Sequence, residues 1–283
     1  MSIIVSGATG HLGRLVVEAL LRRGVPASDL VAVGRNTDRI KDFADRGIAV
    51  RRADFQDPDS LAAAFTGGAR LLLVSATTVG ERIGNHRRAI DAARAAGIRL
   101  IAYTSAVNVG TATMRLAVEH RQTEEYLRVS GVDHVVLRNG WYLENYLDLL
   151  PMIRQNGTVL GSAGHGAVSA ATRSDYAEAA ATVLTSDGHA GATYELGGEA
   201  FTLPELGDAI SAATSERITY TDLPAPEYVR LLVEAGLPTE LAEVLADADL
   251  GLARGELHTT STDLARLIGH PPTTLAQALA RVV

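Results

Sequence analysis

The sequence predicts an α/β protein: a doubly wound parallel sheet, followed by a smaller, mainly helical lobe. Three observations predict it. Short apolar runs alternate with helical patterns through the first half of the 283 residues, the rhythm of strands joined by crossover helices. The run Leu71-Leu72-Leu73-Val74 is apolar at every position, as a strand covered on both faces requires. A glycine-rich turn, Gly7 to Gly13, follows the first strand-like run.

The elements follow in order. Ile3 to Ser6 reads as the first strand. Leu12, Leu15, Val16, Ala19 and Leu20 recur at helical spacing, and Gly24 ends that helix. Leu30 to Val33 is a second strand and Ile48 to Arg51 a weaker third. After the Leu71 run, Glu81 to Ala96 is a helix closed by Gly97, and Leu100 to Tyr103 the next strand. Met114 to Val129 is helical up to Gly131, and His134 to Leu137 is a further strand. After Asn139 the rhythm changes. Asn145 to Ile153, Leu203 to Ala213 and Pro226 to Ala248 read as helices, the last with an apolar stripe of Leu241, Val244, Leu245 and Ala248. Asp175 to Leu184 and Thr193 to Leu196 read as one more helix and strand of the first sheet. The expected domains are therefore interleaved: residues 1–142 plus roughly 173–198 form the sheet domain, and roughly 143–172 plus 199–283 the second lobe.

Composition narrows the chemistry. A hydrophobic fraction of 47% supplies a core, while a net charge of -7 disfavours nucleic acid and anionic membrane surfaces as partners. There is no cysteine, hence no disulfide, thiol nucleophile or cysteine-held metal. The eight histidines show no metal-ligand spacing, so no metal is expected. Lys41 is the only lysine, which leaves little room for a Walker A loop or a Schiff base. No leader-like or membrane-spanning run is visible. The expectation is a cytoplasmic protein, monomer or homodimer.

Gly7-Ala8-Thr9-Gly10-His11-Leu12-Gly13 has the spacing G-x-x-G-x-x-G between strand and helix. Glycines there serve a tight turn, close approach to a pyrophosphate and close helix–strand packing. The helix N-terminus adds free N–H groups and its dipole. This context predicts a Rossmann-type dinucleotide site, against the blander reading of an ordinary turn. Where NAD-selective sites place a carboxylate, this chain has Val33-Gly34-Arg35-Asn36. Arg35 offers a fork of donors to a 2′-phosphate, with Arg39 and Lys41 nearby, so NADP(H) is the expected cofactor. Asp54 and Phe55 occupy the usual adenine position. Ser75-Ala76 and Thr104-Ser105 end the fourth and fifth strands at the edge that faces the ligand.

One pair is missing. Short-chain reductases normally carry Tyr-x-x-x-Lys on the helix after the fifth strand; here Lys41 has no tyrosine four residues before it, and Leu116 and His120 are the corresponding pair. Hydride delivery to a ketone makes an alkoxide, whose conjugate acid is as weak as water at ~15.7. Delivery to a quinone makes a phenolate-like anion near ~10. The difference is about 8 kcal/mol, so a quinone tolerates the missing acid and a ketone does not.

The sequence resembles the NmrA-like, atypical short-chain dehydrogenase group, closest to the type 2 NADPH:quinone oxidoreductases. The matching segments are Gly7 to Gly13, Val33 to Asn36, Ala102 to Ser105, Leu137 to Tyr146, Ala171 to Tyr176 and Leu267 to Pro271. The resemblance implies flavin-free hydride transfer from NADPH to a small quinone bound between the two lobes. It carries Gly7, Thr9, Gly10, His11, Leu12 and Gly13 to the pyrophosphate and Arg35 to the 2′-phosphate. Ser75, Ser105, Asn139, Gly140, Trp141 and Tyr142 are carried to the ribose and nicotinamide. His120 takes the place of the missing lysine, in a chemical or a packing role, and Asn139 or Tyr142 would bond a carbonyl oxygen. Two other readings stand beside it: reduction of another activated acceptor (an enone or imine), and NADP(H) sensing without turnover.

Overall fold

The computed structural model describes residues 2–76 and 80–283. Strand β1 (Ile3–Val5) leads through the glycine turn into helix α1 (His11–Arg22), then β2 (Leu30–Gly34), α2 (Lys41–Asp45), β3 (Ala49–Arg52), α3 (Pro58–Phe65) and β4 (Arg70–Leu73). Next come α4 (Arg82–Ala95), β5 (Leu100–Ala106), α5 (Arg115–Ser130) and β6 (His134–Asn139). The chain then enters α6 (Glu144–Leu147), α7 (Leu150–Asn156), β7 (Thr158–Gly161) and β8 (Ala167–Ser169). It returns as α8 (Arg173–Thr185) and β9 (Thr193–Leu196). It ends in β10 (Ala200–Thr202), α9 (Leu203–Thr214), β11 (Thr219–Asp222), α10 (Ala225–Glu234), α11 (Thr239–Ala253), α12 (Asp263–Ile268) and α13 (Leu275–Leu279).

Seven strands form one parallel sheet in the order β3-β2-β1-β4-β5-β6-β9. The order reverses between β1 and β4, which opens a crevice at their carboxyl ends. Side chains alternate across the sheet. Ile3 and Val5 pack with Val16, Leu20, Ala180 and Leu264 under α1, α8 and α12. Ile4, Leu71 and Leu73 pack with Phe65, Ile90 and Leu127 under α3, α4 and α5. A third cluster, from Val107 and Met114 through Phe201 to Leu279, packs the second lobe onto the segment between β5 and α5.

Three expectations need correction. The stretch Pro226 to Ala248 is two helices, because Gly236 turns the backbone to φ +97° and Pro238 cannot continue a helix. Asn145 to Ile153 is likewise split, with Pro151 in the first turn of α7. The stripe on α11 holds in part: Ala248 is buried and Leu245 packs against α10, but Leu241 is exposed, and Ala242 and Ala246 are buried with Tyr228 and Leu232 instead. The second lobe also contains two small sheets, β10 with β8 and β11 with β7. Strands of three or four residues are too short to show a period.

Candidate active site

The glycine turn holds itself by backbone contacts. Gly7 adopts φ +68°, a conformation that favours glycine. The Ala8 N–H donates to the Val33 carbonyl at 2.9 Å and the Gly10 N–H to the Gly7 carbonyl at 2.9 Å. At Gly13 a Cβ would lie 2.3 Å from the Gly7 carbonyl oxygen, so no side chain fits. Helix α1 carries no acidic residue in its first turn and no side-chain cap. Its first N–H groups and positive dipole end are therefore open to an anion.

A cavity of about 320 Å³ opens beside this turn, a size that suits a small-molecule site. Gly7, Thr9 and Gly10 line it together with Arg35, Asp54, Phe55, Ser75 and Ala76. Sequence reasoning passed over Val33, Gln56, Glu81 and Asn85, which also line it. The distance of Glu81 and Asn85 from any motif hid them; Gln56 donates to Glu81 at 3.0 Å across the rim.

Arg35 and Arg39 are both exposed at the cavity, and neither guanidinium has a hydrogen-bond or ion-pair partner among the described residues. Their loop is braced from behind. Arg14 pairs both oxygens of Asp42 at 2.7 and 2.9 Å, bonds the Arg39 carbonyl and lies over the Phe43 ring. Lys41, expected to add positive potential there, is paired with Asp38 at 2.9 Å and does not line the cavity.

At the carboxyl edge of β4, the Ser75 N–H donates to Thr104 Oγ1 at 2.9 Å, and the Ala76 N–H to His86 Nε2 at 2.9 Å. That bond makes Nε2 the acceptor, so His86 Nδ1 donates to Thr123 Oγ1 at 2.9 Å. Burial and the nearby Arg82 charge push the His86 pKa down to about 3, which keeps the ring neutral. His120 is buried too, 2.6 Å from the Tyr103 hydroxyl through Nδ1, and does not line the cavity. Burial, Arg82 and His86 hold its pKa well below the usual value. Burial therefore favours the neutral ring at both histidines, and the His120 ring meets the Tyr103 hydroxyl rather than the cavity.

Ser105 is also committed elsewhere. Its hydroxyl donates to Glu124 at 2.6 Å, inside a network in which Arg138 bridges Glu124 and Glu195. Gly140 lies against the protein rather than the cavity: a Cβ there would meet the Ser169 carbonyl at 2.3 Å. His11 is exposed at the start of α1, while Leu12 and Gly13 are buried.

Asn139 ends β6 and is 6% exposed. Its amide oxygen has no hydrogen-bond partner among the described residues, an unmet demand that costs about 1–3 kcal/mol unless a donor arrives. Tyr142 lies between the Arg173 guanidinium, 4.9 Å from its ring, and Tyr176. Burial raises the Tyr142 hydroxyl pKa, with the Asn139 amide opposing the shift. Trp141 turns instead toward the second lobe, where it helps line a second, smaller cavity. Among the described residues no cluster of three histidine or acidic side chains suits a metal, and no helix is long and apolar enough to cross a membrane.

Comparison with known proteins fits this geometry. A family model described as NAD(P)H-binding matches residues 7–187. Quinone oxidoreductase 2 of Escherichia coli (strain K12) is 44% identical over 99% of this chain and 98% of its own. The Escherichia coli NADPH-dependent quinone oxidoreductase crystallised with NADPH superposes with a TM-score of 0.95, at 44% identity, covering 99% of each chain. The Citrobacter sp. triphenylmethane reductase complexed with NADP(H) superposes at 0.94, with 34% identity and full coverage of both chains.

Proposed function

The chain belongs to the NAD(P)H-binding, NmrA-like family, and from that premise we propose that it is an NADPH-dependent, flavin-free quinone reductase. The observation that carries the proposal is the 320 Å³ cavity, where a glycine turn meets two unpartnered arginines. The residues fit the cofactor. Arg35, with Arg39 beside it, would grip a 2′-phosphate, the N-terminus of α1 a diphosphate, and Asp54 and Phe55 would flank adenine. The unpaired Asn139 oxygen would accept a hydrogen bond at the reacting end. We assign residues 1–142 plus roughly 173–198 to this dinucleotide-binding unit, and roughly 143–172 plus 199–283 to the acceptor lobe.

When bound, the dinucleotide supplies a hydride. The chain's residues orient the partners and exclude water. Gly140 brings β6 close to β8, so that Trp141 and Tyr142 stand where the two lobes meet. With His86 and His120 neutral, the sheet domain offers no strong acid at that edge, which suits an acceptor whose reduced oxygen is phenol-like. The substrate is a small quinone met in the cytoplasm, and neither nucleic acid nor a membrane is a partner.

The test is NADPH absorbance followed against a panel of small para-quinones, unactivated ketones, imines and a triphenylmethane dye. Quinones should turn over at least a thousandfold faster than ketones, about half of the ~8 kcal/mol difference in anion stability. A second reading, reduction of another activated acceptor, is favoured by the 34% identity to a dye reductase. Turnover of the dye with none of the quinones would select it. Binding of NADPH without consumption by any acceptor would select a sensor.

A further inference from the structure

The second cavity is about 40 Å³, far below the ~300 Å³ or more of an ordinary small-molecule pocket. It takes a carbonyl group and its flank, not a ring. Its walls are mostly apolar: Trp141, Leu149, Val159 and Leu160 among them. Four polar residues break that surface: Asp249 of α11, Tyr228 of α10, and Tyr146 and Asn145 of α6, the last engaged by Arg173 at 2.9 Å.

The Asp249 carboxyl is built in. Its Oδ2 accepts the Ser162 N–H at 2.8 Å. Gly161 leaves room for it, since a Cβ there would come within 2.8 Å of that oxygen. Among the described residues Asp249 has no ion-pair partner. Nor do the Tyr146 and Tyr228 hydroxyls have a hydrogen-bond partner among them, although both lie near enough to feel the Asp249 charge. Trp141 connects the cavity to Asn139, two residues earlier at the sheet edge.

Resting on the quinone-reductase reading, we propose that this cavity takes the remote oxygen of the acceptor and that the Asp249 carboxylic acid hydrogen-bonds and then protonates it. In a para-quinone the two oxygens are conjugated. A hydride arriving at one end brings two electrons, and negative charge appears on the other oxygen. There the new O–H bond forms with the Asp249 proton. Asp249 is left as carboxylate and regains a proton from water, so each turnover consumes one quinone, one NADPH and one proton.

The electrostatics agree. Burial raises the Asp249 pKa to about 6, the Ser162 N–H opposing and Asp222 reinforcing the shift. The groups facing it are Tyr146 from α6, Tyr220 and Asp222 from β11, and Tyr228 from α10. All three tyrosines are pushed above the usual value, first by burial. Asp222 is held down by the Tyr220 hydroxyl and the Gly164 N–H, with His165 beyond it.

Trp141 is the only tryptophan in the sequence and lines the cavity, so its fluorescence reports occupancy without turnover. The probe is 1,4-cyclohexanedione, titrated into the NADP⁺ complex at pH 5 and pH 7.5. The wild type should bind about tenfold tighter at pH 5, where Asp249 is a donor. Asp249→Asn, which always donates, should bind equally at both, and His165→Gln should keep the wild-type difference. In parallel, kcat/KM for 1,4-benzoquinone should fall above pH 6 in the wild type and stay level in Asp249→Asn. A dione that does not bind, a wild type without pH dependence, or a pH dependence surviving in Asp249→Asn would overturn the proposal. If no quinone consumes NADPH while the dione still binds through Asp249, the quinone reading and the protonation step fail together, and only the cavity's recognition of a carbonyl oxygen stands.

Discussion

The two cavities are made in different ways. The larger gathers at strand ends, from the glycine turn, the end of β2 and the loops after β3 and β4, with Leu61, Phe65 and Asn85 of α3 and α4 behind. The smaller is walled by side chains from α6, α7, β7, α9, α10 and α11, spread over more than a hundred residues of chain. Their buried ionisable groups differ as well. Neutral His86 and His120 lie behind the first, and an acid that resists ionisation lies in the second. Acid should therefore loosen the sheet domain, whereas base should strain the second lobe.

The largest expected effect is the acid one. A histidine whose folded pKa is depressed contributes stability above its ordinary pKa of about 6.5, and that stability fades as pH falls toward about 3. The upper limit for His86 alone is roughly 4–5 kcal/mol. Urea unfolding at pH 7, 5 and 4 should show a steep acid loss that is shallower in His86→Gln; identical slopes would remove the contrast between the regions.

Next comes the glycine turn. Gly13→Ala forces a Cβ onto the Gly7 carbonyl and should cost about 3 kcal/mol. At Gly10 the added Cβ meets that carbonyl at 3.3 Å, so Gly10→Ala should cost roughly 1 kcal/mol or less. Thermal unfolding of the two variants measures the difference, and equal losses would mean that the turn yields more easily than its geometry says.

In the second lobe the sign reverses. Asp249 has a raised folded pKa, so the wild type loses stability between about pH 4 and pH 6 as the pH rises. Asp249→Asn should be more stable than the wild type at pH 8, by up to about 3 kcal/mol, with no such gain at pH 4. Calorimetry at both values decides it. A variant equally destabilised at each pH would show that the carboxylate is welcome in the cavity.

The smallest effect is on selectivity. Arg35→Ala removes a charge-assisted contact of about 1.5–3 kcal/mol, so the NADPH preference over NADH should fall roughly ten- to hundredfold. The unfolding temperature should stay put, because Arg35 is exposed and its guanidinium holds no hydrogen bond or ion pair among the described residues. Isothermal titration with both cofactors tests it, and an unchanged preference would move the 2′-phosphate away from Arg35.

Legibility in the sequence follows the same division. The sheet was readable because each strand and crossover helix carries its own local period, and the glycine turn because backbone geometry dictates its residues. Thr193 to Leu196 could be assigned to the sheet across a long excursion for that reason. Chain position alone leaves His120 open between a chemical and a packing role, because i and i+4 spacing from Leu116 says nothing of the Tyr103 hydroxyl that meets it. The Lys41 ion pair is equally unmarked, although Asp38 lies one turn away on its own segment. Asp249 was invisible. Its significance comes from Gly161, Ser162 and three tyrosines on other elements, and a single aspartate on an amphipathic helix carries no local mark of being buried.

Gly34 has a consequence for how cofactor choice can change. It ends β2 immediately before Arg35, and a Cβ there would lie 2.4 Å from Thr9 Cγ2. A side chain at residue 34 therefore has to push the Thr9 side chain aside, although Thr9 belongs to the phosphate turn and not to the selectivity loop. The two positions are coupled. A change of cofactor preference through residue 34 should be tolerated better with a smaller residue at position 9.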